Sequence, residues 1–214
     1  MTTILAYGDS LTWGSCPETG TRHPASHRWP EVLASLLGND VTMIVDGMRG
    51  RTTGYDEHLA DCDRNGVRLL PSVLYTHAPV DLAIFLLGAN DMKPHLCGTA
   101  LGAMQGMRRL VQIAKNHTQG LPNGYDMKVV IVAPPALVET EQEEFSAMFE
   151  GGIEQSEKLA ALYAKLADEE NVAFFDAGSV SEASPLDGVH LDAENTKNIG
   201  EALAPVVTKL LNAN

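Results

Sequence analysis

The 214-residue sequence predicts a doubly wound α/β fold of three layers. Three observations predict it: five short apolar runs, stretches of helical period between them, and loops bearing Gly, Asp or Asn where the runs end. In order, residues 3–7, 41–45, 82–87, 129–133 and 172–175 are rich in Val, Ile, Leu and Phe, the composition of strands buried on both faces. Trp29, Val32, Leu33, Leu36 and Leu37 trace one helix face and stop at Gly38, a residue suited to a C-cap. Leu101, Met104, Met107, Leu110, Val111 and Ala114 trace a second; Leu159, Leu162, Tyr163 and Leu166 a third. Ile199, Leu203, Val206 and Leu210 trace a fourth, in which Pro205 predicts a kink or a late start. These stripes read as core rather than as a cofactor surface.

Strand and helix in alternation imply right-handed crossovers and a five-stranded parallel sheet in the flavodoxin-like order 2-1-3-4-5. The polar stretches 51–65, 119–126 and 135–144 read as loops. The last carries Glu139, Glu141, Glu143 and Glu144 ahead of a helical pattern, where acidic side chains suit the positive end of a helix dipole.

A hydrophobic share of 44% and a charged share of 20% suit one folded domain over residues 1–214. With 15 basic against 28 acidic residues, the net charge of -13 repels phosphate backbones and anionic headgroups, so neither nucleic acid nor a membrane is an expected partner. The first residues lack a basic n-region and a cleavage site, which makes the cytoplasm the expected location. Cys16, Cys62 and Cys97 form no CxxC pair and read as reduced thiols. His58 and Cys62 lie four apart without a second ligand pair, so no metal is expected.

The chemistry gathers where the first three strands end, which is where open α/β sheets bind ligands. Gly8-Asp9-Ser10-Leu11 follows the first run, residues 47–53 the second, and Gly88-Ala89-Asn90-Asp91 the third. A serine hydroxyl is a poor nucleophile at neutral pH and needs a histidine base and a carboxylate to orient that base. Asp187-Gly188-Val189-His190 offers both from one loop. Gly50 can bring a backbone N–H close because it lacks a Cβ, and Asn90 can donate through its amide, so both suit an oxyanion site. Taken singly, Ser10 could be an N-cap, Asp187, Gly50 and Asn90 turn residues, and His190 a surface histidine. A serine hydrolase accounts for all of them together. A non-catalytic anion-binding module would not need the Asp187/His190 pair, and residues 8–14 lack the spacing of a P-loop or dinucleotide fingerprint.

On these four blocks the sequence resembles the SGNH (GDSL) hydrolases. The resemblance implies Ser10 as nucleophile with Asp187 and His190 as its partners. It also implies an oxyanion hole of the Ser10 amide, the Gly50 amide and the Asn90 side chain, and no metal or organic cofactor. A narrower likeness lies in Gly8-Asp9-Ser10-Leu11-Thr12-Trp13-Gly14, in Arg51-Thr52-Thr53, in Phe149-Glu150-Gly151-Gly152 and in Phe174-Phe175-Asp176-Ala177-Gly178-Ser179. These resemble the small bacterial arylesterases with acyltransferase activity. That likeness implies short acyl chains, water or an alcohol as acceptor, homo-oligomers, and a pocket lined or gated by Leu11, Trp13, Lys93, Phe145, Phe149 and Val189. Residues 92–97 follow no matching pattern. A carbohydrate or metabolite deacetylase shares the same fold and triad, as does a thioesterase.

Overall fold

Parallel strands buried on both faces must send alternate side chains into two separate cores, and this alternation organises the protein. The computed structural model describes residues 2–117 and 126–212. The elements run β1 (Thr2–Gly8), α1 (Ser10–Trp13), α2 (Trp29–Leu37), β2 (Val41–Gly47), α3 (Gly66–His77), β3 (Leu82–Leu86), α4 (Ala100–His117), β4 (Lys128–Ala133), α5 (Glu143–Met148), α6 (Gly152–Ser156), α7 (Leu159–Glu170), β5 (Ala173–Asp176) and α8 (Ala193–Asn212). All strand pairs are parallel, and the sheet order is β2-β1-β3-β4-β5. This is the expected α/β sandwich, with helices on both faces.

Leu5, Tyr7, Phe85 and Ile131 point into one core with Leu70 and Leu74 of α3, Met107 and Leu110 of α4, and Tyr163 and Leu166 of α7. Their neighbours Ile4, Ala6, Ile84 and Val132 point the opposite way, into a core with Trp29 and Leu33 of α2 and Ile199, Leu203 and Val207 of α8. Each fully buried Leu, Ile or Phe favours this state by roughly 1.5–3 kcal/mol relative to an exposed one.

The sequence reading leaves residues 66–81 unassigned, yet α3 fills most of that span. Pro71 inside α3 interrupts the pattern that Leu70 and Leu74 otherwise carry, while the Asn65 side chain starts the helix by accepting from the Arg68 amide at 3.1 Å. α8 begins six residues before Ile199, at Ala193, and continues through Pro205 to Asn212, so it starts early rather than late. Leu36 and Leu101, placed on apolar stripes by period alone, are 56% and 54% exposed. Both sit in the terminal turns of their helices. The 135–144 stretch is irregular until Gln142 caps α5, whose first turn holds Glu143 and Glu144. Of the 119–126 loop, all but Asp126 lies outside the described residues. No described helix is long and apolar enough to cross a membrane.

Register positions the functional loops. Gly8 at the end of β1 pairs with Gly47 of β2 on one side and Leu86 of β3 on the other. The chain therefore leaves three adjacent strands at one level, and their following loops converge. Space at this point is tight: a Cβ on Gly8 would lie 2.0 Å from Thr12 Oγ1 and 2.7 Å from the Leu86 carbonyl oxygen. Gly8→Ala is expected to destabilise by about 2 kcal/mol, which for a chain this size lowers Tm by roughly 4–8 °C; thermal unfolding followed by circular dichroism measures it.

Candidate active site

The turn from β1 into α1 sets the first side chain. Asp9 caps α1 by accepting from the Leu11 amide at 2.9 Å, which leaves Ser10 as the first helical residue with its amide directed out of the helix end. The second and third groups come from the loop before α8. Asp187 Oδ1 accepts from the amides of Val189 (3.0 Å) and His190 (2.8 Å), so the carboxylate is fixed by its own turn. Its Oδ2 accepts from His190 Nδ1 at 2.7 Å. With that proton on Nδ1, His190 Nε2 is free to accept from the Ser10 hydroxyl, 3.0 Å away. Burial alone would raise the Asp187 carboxyl, but the bonds from His190 and the two amides outweigh it and hold it below the usual carboxylate range. Behind the ring, His23 Nε2 donates to the Leu191 carbonyl at 2.9 Å, and the Ser184 amide donates to the His190 carbonyl at 2.8 Å.

Gly50 and Asn90 arrive from the loops after β2 and β3. Gly50 holds φ +82°, and among the described residues neither its amide nor that of Ser10 has an acceptor. The Asn90 Nδ2 group is engaged, donating to Asp9 Oδ2 and to the Arg51 carbonyl, each at 3.2 Å. These three donors and the Ser10–His190 pair open onto one cavity of about 320 Å³.

One wall of that cavity is apolar, formed by Phe145, Met148, Phe149 and Val189. Phe145 stacks on Phe149 with centroids 6.3 Å apart and meets the His190 ring edge-on at 5.8 Å. The lining also carries three cations, Arg49, Arg64 and Lys93. Of the pocket residues expected from sequence, Lys93, Phe145, Phe149 and Val189 line the cavity and Leu11 and Trp13 do not. Leu11 is 4% exposed and packs in the α2/α8 core, while Trp13 lies against the guanidinium groups of Arg22 and Arg49, each 5.3 Å from its ring centroid. A helical step of about 100° turns Leu11 away from the direction of Ser10 into the core, while Trp13 is held by its contacts with Arg22 and Arg49. Arg49 and Arg64 were missed because only the converging loops bring them here, and Met148 because α5 carries it beside Phe145 and Phe149. Arg49 adjoins Gly50 in sequence and Met148 adjoins Phe149, and those adjacencies were the available signals.

Beneath the cavity lies a buried polar layer. Arg51 is 1% exposed; its Nη1 donates to the carbonyls of Gly8 (2.9 Å) and Asp46 (2.7 Å), and its Nη2 to Asp46 Oδ1 (2.6 Å). Its guanidinium carbon sits 3.9 Å from the Tyr7 ring centroid. Asp91 accepts from the Thr53 amide and hydroxyl. Burial pushes the Asp9 carboxyl up to about 6, against its hydrogen bond from Leu11, and pushes Asp91 up to about 7, against its bonds from Thr53. The segment holding His58 and Cys62 is not helical, and among the described residues no group of three or more His, Cys, Asp or Glu could hold a metal ion.

Two consequences can be measured. Replacing Arg51 with Met removes its bonds to the Gly8 and Asp46 carbonyls and leaves the Asp46 carboxylate without its cation, an expected loss of about 3 kcal/mol, seen as a fall in the denaturation midpoint. Because the folded pKa of Asp91 lies above its unfolded value, folding takes up protons between about pH 4 and pH 7, and the contribution of this group to stability falls as pH rises through that window. In Asp91→Asn the pH 4.5 to 7 change in unfolding free energy should shift toward greater stability at the higher pH; an unchanged slope by urea titration would contradict the assignment.

Residues 6–196 match the model of the GDSL-like lipase/acylhydrolase family. Among solved structures, a carbohydrate acetylesterase family member from Sinorhizobium meliloti is similar at 54% identity and TM-score 0.97, with both chains covered in full. The native aryl esterase of M. smegmatis is similar at 40% identity and TM-score 0.92, over 98% of this chain and 100% of that one. A further carbohydrate acetylesterase from S. meliloti is similar at 37% identity and TM-score 0.93, with the same coverage. No curated protein matches. With 191 contiguous residues spanned by the family model and the hydroxyl, imidazole and carboxylate assembled at one cavity, the chain belongs to the GDSL-like lipase/acylhydrolase family.

Proposed function

We propose that the protein is a serine esterase for short-chain, acetyl-type esters, aryl esters among them. The observation that carries this reading is the linked set Ser10 Oγ, His190 Nε2, His190 Nδ1 and Asp187 Oδ2, with contacts of 3.0 and 2.7 Å. His190 takes the Ser10 proton as Oγ attacks the ester carbonyl, and Asp187 stabilises the resulting imidazolium. The tetrahedral oxyanion is met by the free amides of Ser10 and Gly50 and by Asn90 Nδ2, which shares a hydrogen now directed at Asp9 or the Arg51 carbonyl. The alcohol leaves with the proton from His190, and an acyl-Ser10 ester remains. Water then attacks it with His190 as base, releasing the acid and restoring Ser10.

Phe145, Met148 and Phe149 support a short acyl group by narrowing the cavity, and the same apolar wall favours an alcohol competing with water for the acyl-enzyme. Self-association into a homo-oligomer, which the narrower likeness implies, belongs to the same reading. A second reading, deacetylation of an acetylated carbohydrate, is favoured by the similarity to two carbohydrate acetylesterases at 54% and 37% identity.

Ser10→Ala is expected to lower kcat on 4-nitrophenyl acetate by about 10³ or more, and to abolish labelling by a fluorophosphonate probe. Near-wild-type turnover in that variant would overturn the proposal. Asn90→Ala should lower kcat by about 10² with little change in KM, the signature of a donor used mainly in the transition state.

A further inference from the structure

The protein carries a net charge of -13, yet the cavity that holds its nucleophile is lined by Arg49, Arg64 and Lys93 and by no carboxylate. Two of these cations are held by other groups. Arg64 Nη1 donates to Glu57 Oε2 at 2.7 Å, and Arg49 lies against the Trp13 ring. Lys93 also meets a ring, its ammonium 5.6 Å from the Phe149 centroid, but it is 5% exposed, lines the cavity, and among the described residues that ammonium makes no hydrogen bond or ion pair. The carboxylates whose fields reach it are Glu57, already paired with Arg64, and the buried Asp9 and Asp91. Burial and the neighbouring Arg64 pull the Lys93 ammonium below its ordinary range, against the field of Glu57.

Burying an ammonium without an ion pair or hydrogen bond opposes folding, and a side chain serving only to pack could be apolar. A cavity that removes water strengthens whatever charge it contains. Resting on the esterase reading above, we infer that Lys93, with Arg49 and Arg64 behind it, forms a carboxylate-recognition wall, and that the preferred ester carries one negative charge close to its scissile bond. Arg64 is neutralised by Glu57, whereas Arg49 and Lys93 meet only aromatic rings, so the lining keeps uncompensated positive charge, and Lys93 is the buried part of it.

The test uses two carboxylate esters and their uncharged counterparts. 4-Acetoxybenzoate is compared with its methyl ester, which places the charge on the alcohol side. Mono-4-nitrophenyl succinate is compared with 4-nitrophenyl butyrate, which places it on the acyl side. At low ionic strength the wild type is expected to favour at least one charged ester by tenfold or more in kcat/KM, mainly through KM, and the favoured pair identifies the side. The preference should shrink in 0.5 M NaCl, vanish in Lys93→Met and return in part in Lys93→Arg. Lys93→Met should also raise Tm by a few degrees, whereas a lysine needed for packing would lower it on removal. If the wild type turns over the uncharged esters with no preference for the charged ones, or if the preference survives in Lys93→Met, the inference is overturned while the esterase reading stands. If none of the four esters is hydrolysed, the esterase reading falls and takes the inference with it.

Discussion

The buried guanidinium of Arg51 is the constraint on which the rest of the site depends. It bonds the last carbonyl of β1, at Gly8, and the backbone and side chain of Asp46 in β2. Its own carbonyl receives the Asn90 amide from the loop after β3. One residue therefore links the three loops that carry Ser10, Gly50 and Asn90. Taking such a charge out of water is costly, and several bonds together with the Tyr7 ring offset that cost. The result is a floor that holds donors in place before any substrate arrives, which is what oxyanion stabilisation requires.

Around that floor the chain tolerates groups that an optimally stable protein would avoid. Asp9 and Asp91 are buried with raised pKa values, and Lys93 is buried with a lowered one. Their fields interact, since Asp9 and Asp91 both favour the Lys93 ammonium and Asp9 disfavours ionisation of Asp91. A fold with two well-filled cores, one on each side of the sheet, can carry this local instability. Asp187 is the exception, held charged by three bonds that the folded turn supplies.

The sheet was legible in the sequence because strands such as residues 82–86 are apolar throughout, and few other structures accept such runs. Helix α3 was not, because Pro71 breaks its pattern and its burial depends on Leu70 and Leu74 meeting β1 and β3. At the site, Ser10, Asp187 and His190 stood out because few residue types can perform their chemistry. The walls were harder to read. Leu11 and Trp13 lie beside Ser10 in sequence, but Leu11 packs in the α2/α8 core and Trp13 against Arg22 and Arg49. Arg64 lies 54 residues from Ser10, in an irregular loop whose path no local pattern encodes. Proximity in sequence was thus a poor guide wherever a helix rotates or a long loop folds back.

The positive φ of Gly50 ties its fate to Arg64. A Cβ there would stand 2.7 Å from the Arg64 Nη1 atom, so the guanidinium occupies the space that the missing side chain leaves. Substitutions at positions 50 and 64 share that space and should combine non-additively. A lineage adapting this wall to a different substrate would disturb the ceiling over an oxyanion donor at the same step. Epistasis between recognition and turnover is thereby written into the packing, and it narrows the evolutionary routes by which this cleft can acquire new selectivity.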